Sequence, residues 1–210
     1  MNKVTTHTSG PFYTFTIHNE TNSSCHLWLQ LAVPAKNCAT VIQQALNELP
    51  PKEPLETWPE AVGKIIDDKL RNLDNKDKFH TLFAAAAVTP DKVHVATAGD
   101  IRLHIIKDNA ALHVSTDHTL ANDLDKAHIR EQMENPEMAH QIVTAHLGAQ
   151  TPAPINTFTR APERPYKLIA CSNEIHRGQA VKDYLDDLLS APSSMANKFS
   201  GLLAIVDVTS

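Results

Sequence analysis

Two side chains that could bind one metal ion, Glu174 and His176, stand two residues apart near the end of this 210-residue chain. A helix that begins at the protein surface explains the same pair equally well. The chain contains 12 histidines, but they are scattered, which favours surface positions and strand faces. The cysteines Cys25, Cys38 and Cys171 are widely spaced and fit neither a disulfide framework nor a zinc site. Spacing alone therefore does not establish a metal site.

Several other polar residues have a structural interpretation beside a functional one. Gly99-Asp100 is typical of a turn or bulge in which the carboxylate caps backbone donors. Arg102 on a strand face is typical of a solvated or ion-paired residue. Asp117-His118 precedes Thr119, and this pattern predicts a capped helix start. Cys171 lies in an apolar strand and is predicted to be a buried, unreactive thiol.

Length and composition indicate a globular protein without a nucleic-acid or membrane partner. We expect one domain, residues 1–210, because a chain of this length can bury a sufficient core. The net charge of −5 disfavours nucleic acid and anionic membranes, which both need a basic face. No apolar run reaches the ~18 residues of a membrane span. The first residues lack the apolar core of a signal peptide. We therefore expect a cytoplasmic protein.

The centre of the chain has the pattern of successive β-strands joined by short turns. Their apolar and alternating runs are separated by Pro-Asp, Gly-Asp and Asp-Asn pairs, which favour turns. Turns this short are expected to make consecutive strands antiparallel neighbours, with no helix between Val93 and Ser115. The predicted strands are Phe79–Val88, Val93–Ala98, Ile101–Ile106 and Ala111–Ser115.

Strands and paired helices surround this centre, which favours an α+β layered domain. The expected additional strands are Phe12–Asn19, Cys25–Val33, Tyr166–Ser172 and Leu202–Val208. The expected helices are Ala35–Leu49, a segment following Pro59, Thr119–Gln132, Pro136–Leu147 and Gln179–Leu189, and the four prolines of residues 150–165 predict a loop.

The central segment also resembles a known family. Its order of strand, Gly-Asp-x-Arg, strand, turn, strand and Thr-x-Asp-His is similar to the middle of the PPM-type (protein phosphatase 2C-like) metal-dependent serine/threonine phosphatases. The matching residues are Thr81, the run Ala98-Gly99-Asp100-Ile101-Arg102, Thr116-Asp117-His118 and Leu120. Residues 140–148 and 165–173 are similar to later segments of bacterial members. The resemblance covers most of the chain and implies a four-layer α-β-β-α sandwich with two antiparallel sheets.

The resemblance also implies two divalent cations at the end of the sheets. Such ions need carboxylate ligands, lower the pKa of a bridging water and clamp the phosphoryl oxygens. Here Val33 and Pro34 stand where the family has the aspartate and glycine of Ala-Asp-Gly. Asn173, followed by Glu174, replaces the aspartate of Ser-Asp-Gly. An amide and a valine therefore stand at two ligand positions.

The last ligand motif is missing as well. Lys198 lies in the segment where the family has Asp-Asn-x-Thr, and residues 195–206 contain no acidic residue. Asp100 survives, at a position that in the family looks like an accessory-metal ligand. One carboxylate cannot hold a two-metal site, so we expect no catalytic residues, no bound metal and no cofactor.

The resemblance therefore predicts a pseudophosphatase that acts by binding, in a regulatory or scaffold role. The expected partner is a protein, such as a kinase or a phosphoprotein. An alternative is a divergent phosphatase or hydrolase with a site rebuilt around Asp100, Glu174 and His176. A third hypothesis is a generic sandwich of the Ntn-hydrolase kind. That hypothesis requires an N-terminal nucleophile, whereas Thr5 would become terminal only after processing.

One recognition mechanism follows from the replaced ligands. Losing carboxylates removes repulsion, so a phosphate or acidic side chain could approach the former site directly. Arg102 and Lys198 would then supply positive charge and Asn173 would supply hydrogen bonds. This mechanism requires the fold to bring the three residues together.

Overall fold

The computed structural model describes residues 3–8, 12–18, 23–31, 35–51, 54–73, 81–129, 134–176, 179–199 and 201–209. Its strands are β1 Lys3–Thr8, β2 Phe12–His18, β3 Ser24–Leu31, β4 Thr81–Val88, β5 Val93–Ala98, β6 Arg102–Lys107, β7 Ala110–Val114, β8 Asn156–Arg160, β9 Tyr166–Cys171 and β10 Leu202–Val208. Its α-helices are α1 Ala35–Glu48, α2 Trp58–Arg71, α3 Leu120–Lys126, α4 Asn173–His176, α5 Leu185–Ser190 and α6 Pro192–Phe199. Short 3-10 turns lie at Leu55–Thr57, Pro136–Gln141 and Val181–Asp183.

The strands form two antiparallel sheets that pack face to face. Sheet I has the order β1-β10-β9-β6-β7, and sheet II has the order β2-β3-β4-β5-β8. The core between them contains Trp28, Val95, Leu103, Leu168 and Val206. Helices α1 and α2 cover the outer face of sheet II, and the helices after β9 cover that of sheet I. The predicted four-layer α-β-β-α sandwich is confirmed.

The connection at Gly99-Asp100 corrects the predicted meander. Strands β4 and β5 pair with each other, and so do β6 and β7, but β5 and β6 lie in different sheets. Gly99 has a φ of +93°, which turns the chain out of sheet II. Residues 99–101 then cross to sheet I, since three extended residues span the ~10 Å between packed sheets. The expectation of three antiparallel neighbours was wrong at this step, although no helix interrupts residues 93–115.

We expect Gly99→Ala to destabilise the protein by about 1–3 kcal/mol, because a residue with a Cβ is strained at this φ. The added Cβ would also lie 2.5 Å from Leu82 Cδ2 and 3.4 Å from the carbonyl oxygen of Ala145. Chemical denaturation would measure the loss. An unchanged unfolding midpoint would contradict the role assigned to this glycine.

The predicted helices after the central strands are shorter than expected. Helix α3 ends at Lys126, since His128 has a left-handed φ of 56°. Residues 136–147 are not an α-helix, because the backbone of Leu147 pairs with Thr81 and the amide of Thr144 donates to the carbonyl of His118. These tertiary hydrogen bonds replace the i to i−4 bonds of a helix.

Strands β1 and β8 and helix α6 were not predicted. Strand β8 lies within the expected loop and pairs with β5. Strand β1 pairs with β10, and helix α6 precedes β10. The expected helix Gln179–Leu189 is divided at Tyr184, whose φ of −134° is not helical. Within the described ranges, no helix is both long and apolar enough to cross a membrane.

Candidate functional site

Four polar side chains meet at one end of the sandwich. Gln30 lies near the end of β3, Asp100 follows β5, and Asn173 and Glu174 follow β9. The strand register places them at the same end, since Gln30 pairs with Leu82 beside the end of β5. Gln30 Nε2 donates to Glu174 Oε1 at 2.6 Å. This hydrogen bond joins sheet II to the segment that follows β9 of sheet I. We call Gln30, Asp100, Asn173 and Glu174 the sheet-end cluster.

Asp100 is a buried carboxyl group with an altered acidity. It is 1% exposed, and burial raises its pKa to about 7, with the charges of Asp117 and Glu174 adding to the effect. A hydrogen bond from the Asn173 side chain and one from its own backbone oppose the rise. The predicted capping of backbone donors is therefore only one of the interactions that the Asp100 carboxyl group makes.

Arg102 and Asp117 form a buried ion pair on the outer face of sheet I. Arg102 Nε lies 2.9 Å from Asp117 Oδ2, and Arg102 Nη2 lies 2.7 Å from the same oxygen. The guanidinium also donates to the carbonyl oxygen of Gln179 and, at 3.4 Å, to Tyr184 Oη. Of the two environments predicted for Arg102, solvated or ion-paired, the structure confirms the ion pair. The expectation that Asp117 caps the helix was wrong, because its carboxylate binds Arg102 instead.

Two histidines are buried as neutral side chains beside this pair. Tyr184 Oη lies 2.6 Å from His104 Nε2, and His104 Nδ1 faces the carbonyl oxygen of Ile169 at 3.2 Å. His176 Nε2 donates to the carbonyl oxygen of Asp100 at 2.8 Å. Burial lowers the pKa of both histidines to about 3. They therefore remain neutral at physiological pH.

The structure tests several sequence predictions at this site. Glu174 lies in the first turn of helix α4, as expected of a helix start, but His176 is fully buried, so the interpretation of both as residues of a surface helix start was wrong for His176. Cys171 is buried, as predicted, and burial raises the pKa of its thiol. That this thiol is unreactive stays a prediction. Val33 and Pro34 lie outside the described residues, so their predicted place at the site stays a prediction.

The residues proposed for phosphate recognition are only partly together. Asn173 contacts Asp100, whereas the charge of Arg102 is neutralised by Asp117. Lys198 is exposed in the last turn of α6. The predicted joint role of Arg102 and Asn173 is therefore not supported by the contacts that these two side chains make.

Gln30 and His104 were missed by the sequence analysis, although both carry a signal. Each is a polar residue whose two neighbours along the strand are apolar and buried. Gln30 lies on the same strand face as Trp28, which points into the core between the sheets. A polar side chain at such a position requires a hydrogen-bond partner. The sequence does not identify that partner, because Glu174 is 144 residues away.

Comparisons with known proteins identify the fold. No family model and no curated protein matches the sequence. Among solved structures, the S. agalactiae serine/threonine phosphatase matches with a TM-score of 0.73 and 16% identity, over 99% of this chain and 98% of that one. The PPM Ser-Thr phosphatase MsPP of Mycobacterium smegmatis gives 0.65 and 14%, over 99% and 97%. The catalytic domain of the phosphatase PstP with two manganese ions gives 0.66 and 14%, over 100% and 99%.

The fold is therefore that of the PPM-type serine/threonine phosphatases. The neighbours are phosphatases, and identities of 14% and 16% show the shared fold alone. What the sheet-end cluster does has to be argued from its own residues.

Proposed function

We propose that this protein is a catalytically inactive phosphatase-like domain that acts by binding a protein partner. The observation that carries the proposal is the place of Asn173, an amide where the resemblance puts a metal-binding aspartate, with its side chain hydrogen-bonded to Asp100. Gln30 donates to Glu174 in the same way. Each carboxylate that remains in the cluster therefore accepts a hydrogen bond from an amide side chain.

The residues present do not fit a two-cation centre. Such a centre shares several carboxylates between two ions that clamp the attacking and leaving oxygens. In the described part of the chain, no group of three or more His, Cys, Asp or Glu side chains is arranged to hold a metal ion. Valine and proline at positions 33 and 34 offer no side-chain ligand either.

The second candidate is a divergent hydrolase with a rebuilt site. The proximity of Asp100 and Glu174 is the observation in its favour, since two close carboxyl groups can divide the roles of acid and base. His176 gives it no support, because that side chain is fully buried and its Nε2 proton is donated to the carbonyl of Asp100. We therefore rank binding above catalysis.

We expect no phosphatase turnover above background. The assay would measure hydrolysis of an aryl phosphate and of a phosphothreonine peptide at pH 8 in excess manganese. Asp100→Ala is the matched variant and should give the same background rate. Manganese-dependent turnover that Asp100→Ala abolishes would establish the rebuilt enzyme and overturn the proposal.

The proposed partner is a protein such as a kinase or a phosphoprotein, in a regulatory or scaffold role. A partner captured on the native protein would be tested against Asn173→Asp combined with Lys198→Glu. Weaker capture would place recognition at the sheet end. Capture of equal strength would place it on another face, such as the helices that cover either sheet.

A further inference from the structure

Strand β2 lies at an edge of sheet II, and its outer side has no partner strand among the described residues. The order of strands ends at β2, which pairs only with β3. In an antiparallel strand the backbone groups of alternate residues point to opposite sides, so every second residue of β2 directs its N–H and C=O groups away from β3. Such an unpaired edge is a template for pairing with another strand.

The sequence of β2 lacks the features that normally keep an edge strand from pairing. Those features are charged side chains, prolines and β-bulges. Residues 12–18 contain no Lys, Arg, Asp, Glu or Pro, and they pair with β3 in one uninterrupted register. The other edge strands each have one such feature, since β1 contains Lys3, β8 contains Arg160, and the ladder of β7 is irregular between Ile105 and Ile106. Strand β2 is therefore the edge best suited to take a further strand.

An apolar stripe on one face of β2 is only partly covered. Tyr13 and Phe15 pack against the core between sheet II and helices α1 and α2, but each side chain is only partly buried. Ile17 lies on the same face, because side chains alternate along a strand, and it is 38% exposed. A further strand beside β2 would bury these three side chains.

Strand β2 is self-complementary in an antiparallel pair. Opposite residues must share both the face of the sheet and the direction of their backbone groups, so a two-fold axis has to pass through a residue. An axis at Phe15, the middle residue of the strand, lets all seven residues pair. Tyr13 then stands opposite Ile17 on one face of the sheet. Thr14 stands opposite Thr16 on the other face. Aromatic–β-branched pairs and Thr–Thr pairs both stabilise antiparallel sheets.

We propose that β2 pairs with β2 of a second copy of this chain, across a two-fold axis at Phe15, so that the two copies of sheet II form one continuous sheet. Two copies that each carry a net charge of −5 repel each other, and an uncharged strand is the kind of edge at which this repulsion is least. One strand pair is small beside the ~1,200–2,000 Å² of a stable interface, so we expect a dissociation constant in the micromolar range. The proposal is independent of the proposed function, because self-association is measured without a partner or a substrate.

The native protein gives the first test. Sedimentation velocity over about 1–200 µM protein should show a reversible change from monomer to dimer. Hydrogen exchange should be slower at the high concentration in alternate amides of β2, those that point away from β3. A monomer at every concentration would overturn the proposal. Open-ended assemblies would also overturn it, since a two-fold contact closes at the dimer. A dimer whose β2 amides exchange at the monomer rate would place the contact elsewhere and overturn it as well.

Two variants then test the strand pair. Ile17→Glu and Thr14→Glu change exposed side chains, and each is expected to raise the dissociation constant of the dimer at least tenfold, because a carboxylate would be buried without an opposite charge. The matched control is Leu112→Glu, which adds the same charge to edge strand β7 at a side chain that is 54% exposed. Circular dichroism would show that each variant is folded. Native affinity in folded Ile17→Glu and Thr14→Glu would overturn the proposal, and so would an equal loss in Leu112→Glu.

Discussion

Replacing Arg102 by methionine is expected to lower the free energy of unfolding by about 3–5 kcal/mol. Arg102 and Asp117 side chains are 11% and 2% exposed, so the substitution leaves a carboxylate buried without its partner. It also removes the donors to Gln179 and Tyr184 that hold the helical layer on sheet I. Urea denaturation at pH 7.5 would measure the loss.

A double variant separates the buried charge from the loss of packing. Arg102→Met with Asp117→Leu is expected to recover most of the stability, because replacing a whole buried pair by apolar residues is often neutral. Lys64→Met is the control, since Lys64 and Glu60 form an exposed pair 2.5 Å apart that should contribute at most about 0.5 kcal/mol. If Arg102→Met costs no more than Lys64→Met, the ion pair has been assigned too large a role.

Acidification is expected to destabilise the protein well before most carboxylates titrate. His104 and His176 have a pKa of about 3 when folded, against 6.5 for the ordinary side chain. Below pH 6.5 these two histidines bind more protons in the unfolded chain than in the folded one, so their contribution to stability falls with pH until about pH 3. Asp100, whose pKa is raised to about 7, has the opposite sign and offsets the contribution of about one histidine between pH 6 and 4. Each histidine should contribute about 1 kcal/mol per pH unit between pH 6 and 5. Denaturation curves at several pH values would give the slope.

A variant of one histidine tests the origin of this slope. His104→Gln keeps a donor and an acceptor near Ile169 and Tyr184, and it should reduce the slope by about 1 kcal/mol per pH unit. His128→Asn is the control, since His128 is exposed and asparagine tolerates its left-handed φ of 56°. An identical slope in the native protein and His104→Gln would show that the acid sensitivity arises elsewhere.

The strands were largely predictable because local patterns determine them. Alternating or continuous apolar runs end at turn residues, and the structure has β4 to β7 within two residues of the expected bounds at each end. Helices α1 and α2 were predictable for the same reason, since their apolar residues repeat with helical spacing. The order of strands and paired helices also predicted the layered α+β class, which the structure confirms.

The assignment of strands to sheets was not predictable from these patterns. A three-residue link can turn a hairpin or cross between packed sheets, and the apolar pattern of β6 is the same in both cases. The crossing at Gly99 depends on the φ of that residue and on which strands pair with β6. Strand β8 was missed because only pairing with the edge of β5 makes its polar sequence extended.

For the candidate site, the sequence by itself determined which side chains are present and which carboxylates are absent. It supplied Asp100, Asn173 and Glu174 as candidates, and it placed valine and proline at positions 33 and 34. Only the tertiary structure decided their partners. Gln30 bonds to Glu174 because strands distant in sequence end at the same edge of the sandwich. Arg102 meets Asp117 because β6 and β7 pair as antiparallel neighbours, and the helices after β9 bury the pair. Such contacts depend on the packing of whole layers, which no local pattern in the chain encodes.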